Sequence, residues 1–162
     1  MTTYTAAVNN TNNAIDVFKR LGTDEQLALL WFVYKQMGHM VTPAAPGAAS
    51  PDIVAGLYEQ AKAMDQNQQL DGMRAIAQGE QSNQLSREYG SMSSNTKLAF
   101  WFYLAQGMDN GEIIPMPKNY ELTNQGQDLL AAIESMDFEE QITVLRNAVD
   151  AMGSEPASGA KV

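Results

Sequence analysis

The segment LALLWFVYKQMG, residues 27–38, restricts the fold more than any other stretch of the chain. It reads as one helix, and at about 100° per residue Trp31, Phe32, Tyr34 and their aliphatic neighbours point in nearly every direction. One flat core face cannot absorb them all. Such a helix needs apolar company on more than one side, so the chain must wrap further layers around it or supply it with an apolar partner of another kind.

The rest of the sequence offers more helices, with punctuation where helices need it. Ala14, Ile15, Val17 and Phe18 give a short helix over 12–20, closed by Leu21-Gly22. Thr23 is expected to cap the next, over 23–38, with Asp24 and Glu25 in its first turn and Gln26 completing a capping box. Ser50-Pro51 opens a helix to about Met64, with Pro at the permitted first position. Two more polar helices follow over 66–78 and 82–89, and Ser93 or Ser94 caps the apolar helix containing KLAFWFYLAQGM. Amphipathic helices over 122–135 and 138–152 complete the set. Two loops, HMVTPAAPGAASP and EIIPMPKNY, carry internal prolines that forbid regular structure. No alternating run is long enough for a strand, so the fold class is all-α. The expected organisation is a flexible arm over 1–11, a helical domain over 12–153 and a disordered tail over 154–162.

An internal repeat sharpens this reading. Residues 24–38 lie over 139–153 without gaps, with Glu25/Glu140, Gln26/Gln141, Leu30/Leu145, Met37/Met152 and Gly38/Gly153 coinciding. Repeated helices in two halves imply two pseudo-symmetric bundles facing each other.

Chemistry is sparse. The chain has no cysteine, which removes thiolate nucleophiles, disulfides and Cys-based zinc sites and leaves a cytoplasmic location unopposed. His39 is its one histidine and sits in a loop. AAPGAAS lacks the Gly-Lys-Ser/Thr of a phosphate cradle. The carboxylates gather at helix starts, where dipole pairing accounts for them. No enzyme is expected. A net charge of −9 argues against nucleic acid and anionic membranes as partners, and no apolar run approaches a transmembrane span.

A binding site has better support. Leu27, Trp31 and Tyr34 stand at helical spacing with Met37 one turn on, and Leu98, Trp101, Phe102, Ala105 and Met108 repeat that stripe. Ile142, Leu145, Val149 and Met152 form a third, with Arg146 beside it in the place Trp31 takes in the repeat. Ten methionines suit a surface that must fit an irregular shape. Core packing would also explain such stripes, but the Pro-rich loops beside them and the polar tips of Trp and Tyr favour a groove for a long apolar ligand with a polar end.

The blocks DEQLALLWFVYKQMG, TPAAPGAAS, SNTKLAFWFYLAQGM, IIPMPKNYELT and QITVLRNAVDAMG resemble the N-terminal, carotenoid-binding domain of the cyanobacterial orange carotenoid proteins, in order, over about residues 12–153. The resemblance implies two interleaved four-helix bundles with a ketocarotenoid such as canthaxanthin, echinenone or 3'-hydroxyechinenone threaded between them. It carries the ligand-lining positions onto Leu27, Trp31, Tyr34, Met37, Gly47 and Met73 on one side. On the other fall Leu98, Trp101, Phe102, Ala105 and Met108, then Met116, Pro117 and Tyr120 from the second Pro-rich loop, and Ile142, Arg146 and Val149. Phe102 stands where the family usually has tyrosine, and Pro43 and Pro51 replace an aliphatic residue and a methionine. Asn95 and Arg146 match positions that hold the two-domain members together, although the chain stops where those members continue into an α/β domain. The implied roles are quenching of singlet oxygen by the bound pigment, docking on the phycobilisome, or carriage of a carotenoid received from a C-terminal-domain homologue.

Overall fold

The computed structural model describes residues 11–37 and 51–154. Most of the expected arm, the first Pro-rich loop with Pro43 and Gly47, and residues 155–162 lie outside the described residues. Eight helices account for the regular structure there: α1 Thr11–Arg20, α2 Thr23–Met37, α3 Pro51–Lys62, α4 Gln66–Gln78, α5 Gln84–Gly90, α6 Ser94–Asn110, α7 Asn124–Glu134 and α8 Phe138–Asp150. The all-α expectation holds, with boundaries within about two residues.

The chain runs as four helical hairpins, and three share one device. The first-turn glutamine of the second helix donates to a carbonyl eight residues back, at the end of the first: Gln26 to Phe18 at 2.9 Å, Gln69 to Ala61 at 3.1 Å and Gln141 to Ile133 at 3.0 Å. Each carbonyl lies in the last turn of the preceding helix and also accepts from the backbone amide three residues on, so the glutamine supplies a second donor and ties the two helices together. In the fourth hairpin Lys97 takes the glutamine's place, and its ammonium lies 5.3 Å from the ring of Tyr89, again eight residues back. The Gln26/Gln141 coincidence in the sequence repeat thus has a structural cause.

That device corrects the expected cap of α2. Gln26 reaches back to α1 rather than to Thr23, and the carbonyl of Gly22 accepts from the Gln26 amide at 2.9 Å, as that of Asp137 does from Gln141 in α8. Thr23 instead accepts from Gln78 of α4 at 3.3 Å. True capping boxes close α4, through Asp65 and Gln68, and α8, through Asp137 and Glu140.

Packing sorts the hairpins into two four-helix bundles. α1, α2, α7 and α8 form one, and α3 to α6, inserted between its halves, form the other. The bundles meet where α2 packs on α4 and α6, and where α6 packs on α8. This puts the most apolar helices, α2 and α6, at the junction. Behind α8 the packed chain reaches Ser154, one residue past the expected domain boundary: the Gly153 amide donates to Ile76 at 2.7 Å and the Ser154 amide to Ser86 at 3.1 Å. Gly153 has φ 86°, and a Cβ there would press on Tyr89 and the Gly90 backbone, so only glycine suits the turn.

Candidate functional site

α2 presents two apolar faces. Ala28 and Leu29 are buried in the protein core, whereas Leu27, Leu30, Trp31 and Tyr34 are only half-buried. The second face opens on a cavity between the bundles, with about 190 Å³ reachable by water-sized molecules and about 1120 Å³ of non-protein space including its open mouth. α6 forms the facing wall through Leu98, Trp101, Phe102, Leu104, Ala105 and Met108, α4 contributes Leu70 and Met73, and Leu145 of α8 closes the back. The lining runs from Asp24 to Tyr34 on α2 and from Leu98 to Met108 on α6, ten residue steps on each wall, roughly 15 Å at 1.5 Å per residue.

The aromatic groups are held in place by their neighbours. Trp31 and Tyr34 have ring centroids 5.9 Å apart, and Tyr34 meets Phe102 edge-on at 5.6 Å. Phe102 therefore joins the cluster through an aromatic edge contact. The Trp101 indole N–H donates to the Tyr89 hydroxyl at 2.9 Å, which donates to the Val149 carbonyl at 2.6 Å. Burial pushes the Tyr89 phenol well above its ordinary range, so it stays protonated and the chain of donors persists.

The roof is the second Pro-rich loop. Ile114, Pro115, Met116, Pro117 and Tyr120 line the cavity, and both ends of the loop are anchored. At its start Tyr58 donates to Glu112 at 2.6 Å, while Gln69 donates to the Glu112 carbonyl at 3.1 Å and accepts from the Ile114 amide at 2.8 Å. At its end the buried carboxylate of Glu25 accepts from the Tyr120 hydroxyl at 2.9 Å, and from the Thr123 amide and hydroxyl at 2.7 and 2.9 Å. Burial, and then the bond to Glu25, push the Tyr120 phenol up to about 12. Gly126 leaves room for this carboxylate, because a Cβ there would collide with Glu25 Oε2.

Of the positions expected to line a ligand, Leu27, Trp31, Tyr34, Met73, Leu98, Trp101, Phe102, Ala105, Met108, Met116, Pro117 and Tyr120 meet around this cavity. Gly47 and the Met37 side chain lie outside the described residues. The third stripe behaves differently. Val149 is fully buried in the core, Ile142 packs half-buried against the core, and Arg146 donates to Asn95 at 3.2 Å. Leu145, from the same stripe, is the α8 residue that reaches the cavity. Sequence reasoning also missed Leu30, Val33, Leu70, Leu104, Ile114 and Pro115, and the rim pair Asp24 and Arg74. Arg74 directly follows Met73, and only the tertiary fold turns it to the rim.

The site has the chemistry of a binding pocket. Its walls are aliphatic, aromatic and thioether groups, and the polar tips of Trp101 and Tyr120 already have partners. Among the described residues no three His, Cys, Asp or Glu side chains cluster to hold a metal, and no helix is long and apolar enough to cross a membrane.

Known proteins place this architecture. The solved Red Carotenoid Protein of Anabaena (Nostoc) sp. PCC 7120, binding canthaxanthin, superposes with a TM-score of 0.81 at 43% identity, covering 90% of this chain and 99% of that one. An orange carotenoid-binding domain-containing protein of Nostoc sp. is 44% identical over 144 residues, 89% of this chain and 84% of its own. The orange carotenoid-binding protein of Synechocystis sp. is 41% identical over 136 residues, 84% of this chain but 43% of its own length. A family model described as orange carotenoid protein, N-terminal, matches residues 4–155. The chain belongs to the family of orange carotenoid protein N-terminal domains.

Proposed function

We propose that the chain binds a ketocarotenoid in the cavity between its bundles and serves in photoprotection. Membership of a carotenoid-binding family carries this reading, together with an apolar cavity walled by two aromatic-rich helices. The lining suits a polyene, since it offers carbon, sulfur and ring faces and brings few unsatisfied polar groups to a ligand without hydrogen-bonding atoms along its length. Once bound, the pigment supplies the photochemistry, accepting excitation energy, including that of singlet oxygen, and releasing it as heat. The protein's part is to exclude water and fix the polyene's shape: Trp101, braced by Tyr89, sets one wall, the Trp31, Tyr34 and Phe102 cluster grips one end, and the loop held by Glu25 forms the roof. No residue is consumed, and none acts as acid or base.

The deciding measurement is a visible absorption spectrum of the protein purified from cells that make ketocarotenoids, beside a carotenoid-free preparation. A broad, red-shifted band co-eluting with the protein supports the proposal. A colourless, folded protein returns the cavity to a packing defect.

Docking on the phycobilisome, within the cytoplasm, is a second reading. It rests on Arg146, which pairs with Asn95 away from the cavity lining and so is available to a partner without disturbing the pigment. Quenching of antenna fluorescence by the pigmented protein, lost in Arg146→Leu, tests it. Receipt of pigment from a C-terminal-domain homologue is compatible with either role.

A further inference from the structure

The cavity is apolar along its length but not at the α2 N-terminal end. There Arg74 of α4 and Asp24 of α2 form part of the lining, joining the two bundles at the rim. Arg74 donates from Nε to Asp24 Oδ1 at 2.9 Å and from Nη2 to Oδ2 at 3.1 Å, a two-point pairing that fixes the plane of the guanidinium. The two side chains are 42% and 54% exposed, which marks the mouth rather than the interior. Gln78 repeats the tie one turn on through its bond to Thr23.

A guanidinium has five N–H groups, and Asp24 engages two of them. Those on Nη1 remain for another acceptor, in an orientation the carboxylate has already set, so little further entropy is lost in using them. The ion pair keeps a lone charge from facing an apolar ligand. A carotenoid's conjugated chain is longer than the stretch these walls line, so its terminal rings come to the ends of the cavity rather than to its middle. A ring bearing a keto or hydroxyl oxygen can accept from Arg74. A hydrocarbon ring displaces water from the guanidinium and returns no hydrogen bond.

We infer that Arg74, oriented by Asp24, is a specificity-determining residue that selects carotenoids with an oxygenated terminal ring at this end. The inference rests on the carotenoid-binding reading. Its test offers the pigment-free full-length protein an equal mixture of canthaxanthin and β-carotene, and measures the retained ratio by extraction and chromatography. Circular dichroism checks the fold.

Wild type should favour canthaxanthin by roughly tenfold, the scale of one hydrogen bond to a charged group. Arg74→Leu should bring the ratio near unity, and Arg74→Gln, which keeps a neutral donor, should fall between. An unchanged ratio in Arg74→Leu overturns the inference while leaving carotenoid binding intact, as does equal uptake by wild type. A folded Arg74→Leu that takes up neither pigment also overturns it, because the pair then maintains the cavity rather than reading the ring. If wild type takes up neither pigment, the failure belongs to the binding reading beneath.

Discussion

The first turns of α2 and α8 begin from the same sequence pattern and end in different structures. Both present Glu-Gln at corresponding positions, and in both the glutamine caps the preceding helix. In α8 the residue before the helix is Asp137, which accepts from the Glu140 amide while Glu140 folds back on the Asp137 amide. The matching place before α2 is Gly22, which has no side chain to take part. Glu25 reaches instead across the bundle to Tyr120 and Thr123, where it is buried and holds the roof of the cavity. One half of the repeat uses its glutamate to finish a helix, the other to build the candidate site.

Substitutions should expose that asymmetry by their size. Glu25→Ala strips the acceptor from three donors at the end of the loop, and is expected to cost about 3 kcal/mol in urea unfolding and to weaken pigment retention. Tyr120→Phe removes one of those bonds and should cost about 1.5 kcal/mol at neutral pH. It also carries a pH signature. The folded phenol titrates near 12 rather than 10, so the folded state holds its proton longer than the unfolded chain, and stability declines as pH rises through that interval. Alkaline unfolding of Tyr120→Phe should be less steep there, with the remaining slope left to the raised Tyr58 and Tyr89.

On the other side of the comparison, Asp137→Ala should cost about 1 kcal/mol, as the loss of an N-cap does, and leave pigment retention unchanged. Equal costs for Asp137→Ala and Glu25→Ala would remove the distinction between the two turns. The smallest effect is expected from Gly22→Asp. Its φ is not positive and a Cβ meets nothing within 4 Å, so an added cap should stabilise by a few tenths of a kcal/mol in thermal unfolding.

The part of the site that could be read from the chain follows from helical spacing. Leu27, Trp31 and Tyr34 share a face by period alone, as do Leu98, Trp101, Ala105 and Met108, and those seven meet across the cavity. Spacing could not assign which residue of the α8 stripe touches the cavity. Ile142, Leu145 and Val149 share one face, and it is the packing of α8 on α6 that brings Leu145 to the cavity while Val149 is fully buried in the core. Nor could it separate Glu25 from its counterpart Glu140, because a glutamate in a first turn satisfies the helix dipole whether or not it reaches further.

The sequence by itself determined the eight helices among the described residues, the breaks between them and the need of α2 for apolar company on more than one side, since periodicity, caps and prolines act within a few residues of one another. The tertiary structure decided which side of α2 meets core and which meets the cavity. It inserted α3 to α6 between the halves of the first bundle, placed Arg74 opposite Asp24 across fifty residues of chain, and anchored the second Pro-rich loop as a roof. Such pairings depend on how whole helices cross and pack, and no local pattern encodes that.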